Sequence, residues 1–371
     1  MTEGLSAPAS TSHQEFPCQS CGAKLQFEPG TTHLTCNYCG AVQDIGQQSS
    51  APVRERSLED ALRELAQRPA SELAQGGHEI QCNGCGAVTL ITGQAASCPF
   101  CDSPMIVPIE EDRATIVPES LLPFHIEAKQ AAQIFADWIK SRWFAPNDLA
   151  KRAKKAKIDG VYLPYYTYDT TTVSSYQGER GTHYYVTETY TDSEGNTQTR
   201  QVRKTRWNSV RGSVRVHFDD VLICASKSLP VKLTDTLEPW DLQSLRSFDP
   251  AFLSGFMAER ATLGLEQGFG VAKDKMDPRI RSAIRSDIGG DEQRIHSKST
   301  NYRDPTFKLF LLPLWLSSFR YKEKVFRFVI NARTGEPAGE RPYSAVKIAL
   351  AVIAGILLVA AIVLILSATE G

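Results

Sequence analysis

CQSCGAKLQFEPGTTHLTCNYC, residues 18–39, holds two CxxC pairs with fourteen residues between them. CNGCGAVTLITGQAASCPFC, residues 82–101, repeats the arrangement with a gap of twelve. Zinc takes four tetrahedral ligands and thiolates suit it. Each stretch therefore reads as one four-cysteine site: Cys18, Cys21, Cys36 and Cys39 in the first, Cys82, Cys85, Cys98 and Cys101 in the second. A CxxC knuckle presents two sulfurs on one side of a tight turn, and a short hairpin brings the second knuckle to face the first. Gly22, Gly40 and Gly86 follow three of the knuckles, where a positive φ turns backbone N–H groups toward sulfur. Asp102 takes that place in the fourth. Two structural Zn2+ ions are expected, each closed by four thiolates and so without an open position for catalysis. His33 and His78 lie nearby but are not needed as ligands, which places them on the surface.

A disulfide framework would require an oxidising compartment. Residues 1–14, MTEGLSAPASTSHQ, lack the apolar core of a signal peptide. A redox CxxC is disfavoured too, because four paired knuckles stand without an adjacent βαβ pattern. The two cysteine stretches look like an internal duplication: CG knuckle, short strand, glycine turn, second knuckle, exit strand. Outward from them the expected organisation is a disordered tail over 1–14, a zinc ribbon over 15–46 and a second ribbon over 78–108. The linker over 47–77 carries a short helix, with Ser57 as N-cap and Leu58, Leu62 and Leu65 as its apolar stripe. A cytosolic α+β domain fills 109–343, and a membrane segment with a short tail fills 344–371.

Residues 348–366, IALAVIAGILLVAAIVLIL, form a run of nineteen without a charge. As a helix this is about 28 Å long, enough to span a bilayer core. Arg341 and Lys347 precede it and only SATEG follows, so the positive-inside rule places the N-terminal bulk in the cytoplasm, single-pass at the inner membrane. A reducing cytoplasm also suits the thiolates. Ala351 and Gly355 make a small-xxx-small pair that permits self-association as a homo-oligomer.

The middle reads as α+β with a largely antiparallel sheet. Pro118–Lys157 reads as helical after its first residues, with Ala131, Ile134, Phe135, Trp138 and Ile139 on one face. Asn147 caps a second short helix carrying Lys151, Arg152, Lys154, Lys155 and Lys157, a run suited to anionic lipid or nucleic acid. Gly160–Ser226 is rich in strand signals, with a hairpin turn at Asp192–Asn196. Leu245–Ile284 reads as helix again, and Phe307–Ile330 as strand. The stretch FLLPLWLSSFRY echoes VYLPYYTYD, which suggests two related strands.

Energy-coupled and hydrolytic chemistry find no motif. GxxxxGK[ST], HExxH and GxSxG do not occur. His217 and Asp219 share a strand face in VHFDD, a pattern that fits a strand running into an exposed turn better than an acid–base pair. The chain of 371 residues carries a net charge of -1 overall. Residues 1–110, however, hold five basic and twelve acidic residues, a net −7. Two zinc-tetrathiolate sites of about −2 each bring this to about −11. Phosphate binding is driven by positive charge, so the ribbons should repel nucleic acid, and the basic stretches Lys151–Lys157 and Arg200–Arg215 of the following domain are the ones that could bind it.

Paired ribbons, LLPF…WIKSRWFAP, GVYLPYYTYDTTTVSSYQGERG, FLLPLWLSSFRY, INARTGEPAGERPYS and a final apolar helix together resemble a bacterial family of double zinc-ribbon, membrane-anchored proteins. That family often carries the label "primosomal protein N′ (replication factor Y), superfamily II helicase". The label follows the eight cysteines, since the replication-restart helicase also binds two zincs through four-cysteine sites. The motor motifs are missing from this sequence, so helicase activity is not expected. A looser similarity links the chain to ribbon-bearing membrane proteins encoded beside SPFH (flotillin-like) and phage-shock-type proteins. It implies a non-enzymatic adaptor that recruits such cytosolic partners to the bilayer. The alternative is a membrane-associated nucleic-acid-binding protein without motor activity.

Overall fold

The structure, a computed structural model, describes residues 16–46, 54–67, 78–82, 87–91, 98, 100, 106–108, 116–147, 149, 157–191, 193, 195–321 and 324–369. The first ribbon is a three-stranded antiparallel sheet of β1 (Leu25–Phe27), β2 (His33–Cys36) and β3 (Val42–Asp44). After β4 (Arg56–Ser57) comes α1 (Leu58–Gln67), where the Ser57 hydroxyl accepts the Asp60 N–H as an N-cap should. The second cysteine stretch contributes β5 (His78–Cys82), β6 (Val88–Ile91) and β7 (Ile106–Pro108). Then follow β8 (Ser120–Leu121), α2 (Ala128–Lys140), β9 (Asp159–Thr191), β10 (Thr197–Cys224), α3 (Val231–Asp235), β11 (Arg246–Ser247) and β12 (Met257–Glu259). The chain closes with α4 (Leu265–Ile288), β13 (Glu292–Tyr321), β14 (Lys324–Asn331), β15 (Pro337–Gly339) and α5 (Ala345–Thr369). Thus the chain is α+β, with a large, mostly antiparallel sheet, a small cysteine ribbon and a C-terminal apolar helix.

Three long strands dominate. β9 lies between β10 and β13, antiparallel to both. The echo between the two LP stretches has a structural meaning: Leu163 pairs directly with Leu312, so Pro164 faces Leu311 and Pro313 faces Tyr162. Around this point the surroundings repeat with the same offsets. Residues Val161 and Tyr162, upstream of Pro164, pair in parallel with β12, and Phe310 and Leu311, upstream of Pro313, pair in parallel with β8. Tyr165, just after Pro164, begins the antiparallel pairing with β10 at Cys224, and Leu314, just after Pro313, begins it with β14 at Asn331. Proline has no N–H to give a ladder. Each outer strand therefore leaves at the proline, whose carbonyl takes one last bond, Ala225 N–H to Pro164 O (2.8 Å) and Ala332 N–H to Pro313 O (3.1 Å). The domain is two βαββ units, β8–α2–β9–β10 and β12–α4–β13–β14, each lending its short strand to the other's long one.

The cores follow this plan. α4 covers one face of the ribbon and packs Phe269, Met276, Ile280 and Ile284 against Tyr166, Tyr168, Val216 and Phe218. α2 packs Phe135 and Trp138 against Phe328. The cysteine stretches are built into the same cores. Leu25, Phe27 and Leu34 cluster with Phe124, Phe252 and Trp315, while Cys82, Ala87, Cys98 and Phe100 cluster with Leu163, Leu222 and Leu314. β6 also pairs with β12, which ties the second stretch into the main sheet.

Two helical expectations shrink. Helix over 118–157 is confined, among fully described segments, to Ala128–Lys140; the chain then turns at Arg142–Ala145. Helix over 245–284 begins only at Leu265, because among the preceding residues β11 pairs with β8 at one edge of the sheet and β12 is inserted between β9 and β6. Partners from distant sequence decide those twenty residues, and helical periodicity does not register them. The hairpin turn falls between Thr191 and Thr197 as expected. The tail over 1–14 and most of the 47–77 linker lie outside the described residues.

Candidate metal centre and exposed ribbon

The first ribbon's knuckles share the sequence CxxCGA and share a backbone pattern. Cys18 N–H donates to Ala23 O (2.6 Å) and Gly22 N–H to Cys18 O (2.8 Å). The second knuckle repeats this with Cys36 to Ala41 and Gly40 to Cys36, both 2.9 Å. Gly22 and Gly40 have the same φ of 73°, in the left-handed region that favours glycine. The β1–β2 hairpin, with Leu25 opposite Cys36, then folds one knuckle onto the other. The four sulfurs lie within 4.8 Å of one another, with Cys18–Cys39 at 3.5 Å and Cys21–Cys36 at 3.6 Å. This cluster can hold one metal ion.

The electrostatics ask for a cation. Backbone N–H groups of Cys39 and Tyr38 point at the Cys36 sulfur and lower it to about 6. Those of Ser20 and Cys21 likewise lower Cys18. Cys21 receives the Ala23 N–H, which acts to lower it, yet its sulfur neighbours drive it up to about 12. Cys39 is raised as well, against the lowering effect of the Ala41 N–H. Four thiols this close cannot all ionise without a positive centre among them. Cys18 and Cys36 are buried and Cys21 and Cys39 exposed, so the site sits at the surface with one side set in the core. His33 Nε2 lies 3.2 Å from Glu28 Oε2, paired within the hairpin and outside the cluster.

In the second stretch, Cys82 and Cys98 are buried, and Cys82 N–H donates to Ala87 O (2.8 Å), the same bond as in the first ribbon's knuckles. Cys85 and Cys101 lie outside the described residues. So do Lys151, Arg152, Lys154 and Lys155 of the basic run; Lys157 pairs with Asp159 at 2.6 Å.

One feature escaped the sequence, and a second was legible only in part, as a long hairpin with a basic stretch over Arg200–Arg215. A bulge at Asp219–Asp220 replaces the turn expected after VHFDD, and it gathers Asp219 and Asp220 with Asp169, while His217 contacts Thr171 instead. Lys308 already supplies the cation there, 2.9 Å from Asp220 and 3.4 Å from Glu55. The second is the ribbon's far half. β13 begins at Glu292 opposite Gly181, so Thr182–Thr191 and Thr197–Arg206 continue as a two-stranded hairpin for about 30 Å. Among the described residues nothing covers the ribbon face opposite α4, which carries exposed Arg203, Arg211, Arg215, Arg294 and Arg303, with Glu179 and Glu292 as acidic neighbours. Tyr184, Tyr185 and Tyr190 are exposed on the hairpin, where Arg206 stacks on Tyr184 and Arg200 on Tyr190. A cleft between Thr31, His125, Arg246 and Arg333 gathers neither His217 nor Asp219.

A relative spans nearly the same length. The chain is 26% identical over 345 residues to "Uncharacterized protein YdjG" of Bacillus subtilis (strain 168), covering 90% of this chain and 92% of that one. No protein-family model matches, and no solved structure matches.

At the other end of the chain, α5 is long and apolar enough to cross a membrane. Its Ala345–Ile362 window has a mean hydropathy of 2.7 and none of it is buried.

Proposed function

We propose that this chain is a membrane-anchored zinc-ribbon adaptor that holds cytosolic protein partners at the bacterial inner membrane and catalyses no reaction. The observation that carries the reading is the projecting ribbon. A two-stranded hairpin is marginally stable alone, and among the described residues no helix packs over this arginine-rich sheet face, although Arg294 stacks on Trp207 and pairs with Glu179. Such a surface suits a partner of acidic character. Two Zn2+ ions, one on Cys18, Cys21, Cys36 and Cys39 and one on Cys82, Cys85, Cys98 and Cys101, stiffen the N-terminal ribbons. Zn–S bonds of about 2.3 Å put tetrahedral sulfurs about 3.8 Å apart, close to the 3.5 and 3.6 Å separations of the first cluster. α5 anchors the molecule with its bulk in the cytoplasm, and tethering raises the local concentration of whatever docks there. SPFH- or phage-shock-type proteins are the partners the looser resemblance favours.

The test is co-purification after cross-linking of the detergent-extracted full chain, compared with an Arg211→Glu, Arg215→Glu variant. The expected outcome is loss of a defined set of partners with an unchanged melting temperature. Identical partner sets would overturn docking through this face. The same five arginines also favour nucleic acid as the second reading. Anisotropy of a labelled oligonucleotide across a salt series decides it: salt-sensitive binding lost in the variant selects nucleic acid over a protein partner.

A further inference from the structure

The turn after α2 is bonded to the first turn of α5. Ser344 N–H donates to Phe144 O (2.8 Å), and Lys347 Nζ donates to both Trp143 O (3.0 Å) and Ala145 O (2.8 Å). A cation in the first turn of a helix opposes the helix dipole, so the place of Lys347 calls for a compensating role, and clamping these carbonyls supplies one. Three successive carbonyls thereby fix the loop at the level where the apolar span begins. The loop is held from within as well, by buried Ala145 and Leu149. Yet its two large side chains face outward: Trp143 is 82% exposed and Phe144 40%, with their rings stacked at 6.3 Å. Tyr343, 60% exposed, stands beside them in sequence with α5 and carries Arg341 on its ring. A rigidly held loop gains nothing from leaving a tryptophan in water. Tryptophan and tyrosine favour the headgroup level of a bilayer, with cations alongside to meet phosphates.

We infer that Trp143 and Phe144 form a wedge that inserts into the headgroup–acyl boundary next to α5, so that the cytosolic domain is seated on the bilayer at a fixed height and tilt. The occupant of this patch is lipid, because the patch is continuous with the apolar helix through the three hydrogen bonds. The inference rests on α5 spanning a membrane.

The experiment reconstitutes the full chain into phosphatidylcholine–phosphatidylglycerol vesicles whose acyl chains are brominated at shallow or deep positions, and follows tryptophan emission. Wild type is compared with Trp143→Phe and, as a control, Trp138→Phe. The expected result is a blue-shifted component quenched most by shallow bromines, present in wild type and Trp138→Phe and lost in Trp143→Phe. Equal quenching of wild type and Trp143→Phe in co-floating vesicles overturns the wedge alone. Failure of the wild type to float with vesicles overturns the membrane span, and the wedge with it.

Discussion

Asp169 sits on the middle strand between two bulges, Asp219–Asp220 on β10 and Asp304–Pro305 on β13. Asp220 and Asp304 both take positive φ, a conformation that aspartate tolerates better than most side chains. The Asp169 carboxylate accepts the Asp220 N–H at 2.5 Å and so latches one bulge in place. Burial is the largest influence on this group and raises it to about 6, against the lowering effect of the Asp220 N–H and Lys308. An unfolded aspartate titrates near 3.9, so the folded chain holds the extra proton between about pH 4 and 6. Stability from this proton is complete below about pH 4 and is lost as pH rises through 6. We predict that Asp169→Asn flattens the fall in melting temperature between pH 4.5 and 7 relative to wild type, measured on the detergent-solubilised chain. A constant offset between the two curves would refute the assignment.

Helix α4 offers a paired test of packing against propensity. Glycine inside a helix normally costs about 1 kcal/mol relative to alanine. Gly270 is exposed with open space where a Cβ would go, so Gly270→Ala should stabilise the chain by about 0.5–1 kcal/mol. Gly268 is buried, and a Cβ there would meet the Tyr168 hydroxyl at 2.4 Å. That hydroxyl cannot simply swing away, because Tyr168 is fully buried and donates to Leu265 O at 2.8 Å. Gly268→Ala should therefore destabilise by about 1–3 kcal/mol, the usual scale of overpacking. Denaturant midpoints of the two variants should move in opposite directions.

Across the whole molecule, the first ribbon and the βαββ domain share one apolar cluster. Phe27 meets Phe252 edge-on at 5.0 Å, Phe27 N–H donates to Ser254 O, and the Ser254 hydroxyl donates to Leu25 O. A metal that holds Cys18 to Cys39 thus braces residues reaching Phe124 and Trp315. Removing bound metal with a chelator should lower the midpoint of one cooperative melting transition, followed by calorimetry or near-ultraviolet circular dichroism. A separate early transition confined to the ribbon, with the main one unmoved, would show the two parts to be energetically independent.

The cysteine spacing, the apolar run at 348–366 and the Ser57 cap were legible in the residues themselves, because knuckle, span and cap are each made by neighbours in the chain. The tertiary structure decided what depends on distant partners. It set the LP stretches face to face at Leu163 and Leu312, turned residues around 246 and 258 into short strands of the main sheet, and drew Asp169 to Asp220 across a bulge. It also brought the Trp143 loop to the foot of α5. Local periodicity records which face of a segment is apolar, whereas the identity of the strand or helix that covers that face is fixed only when the chain closes on itself.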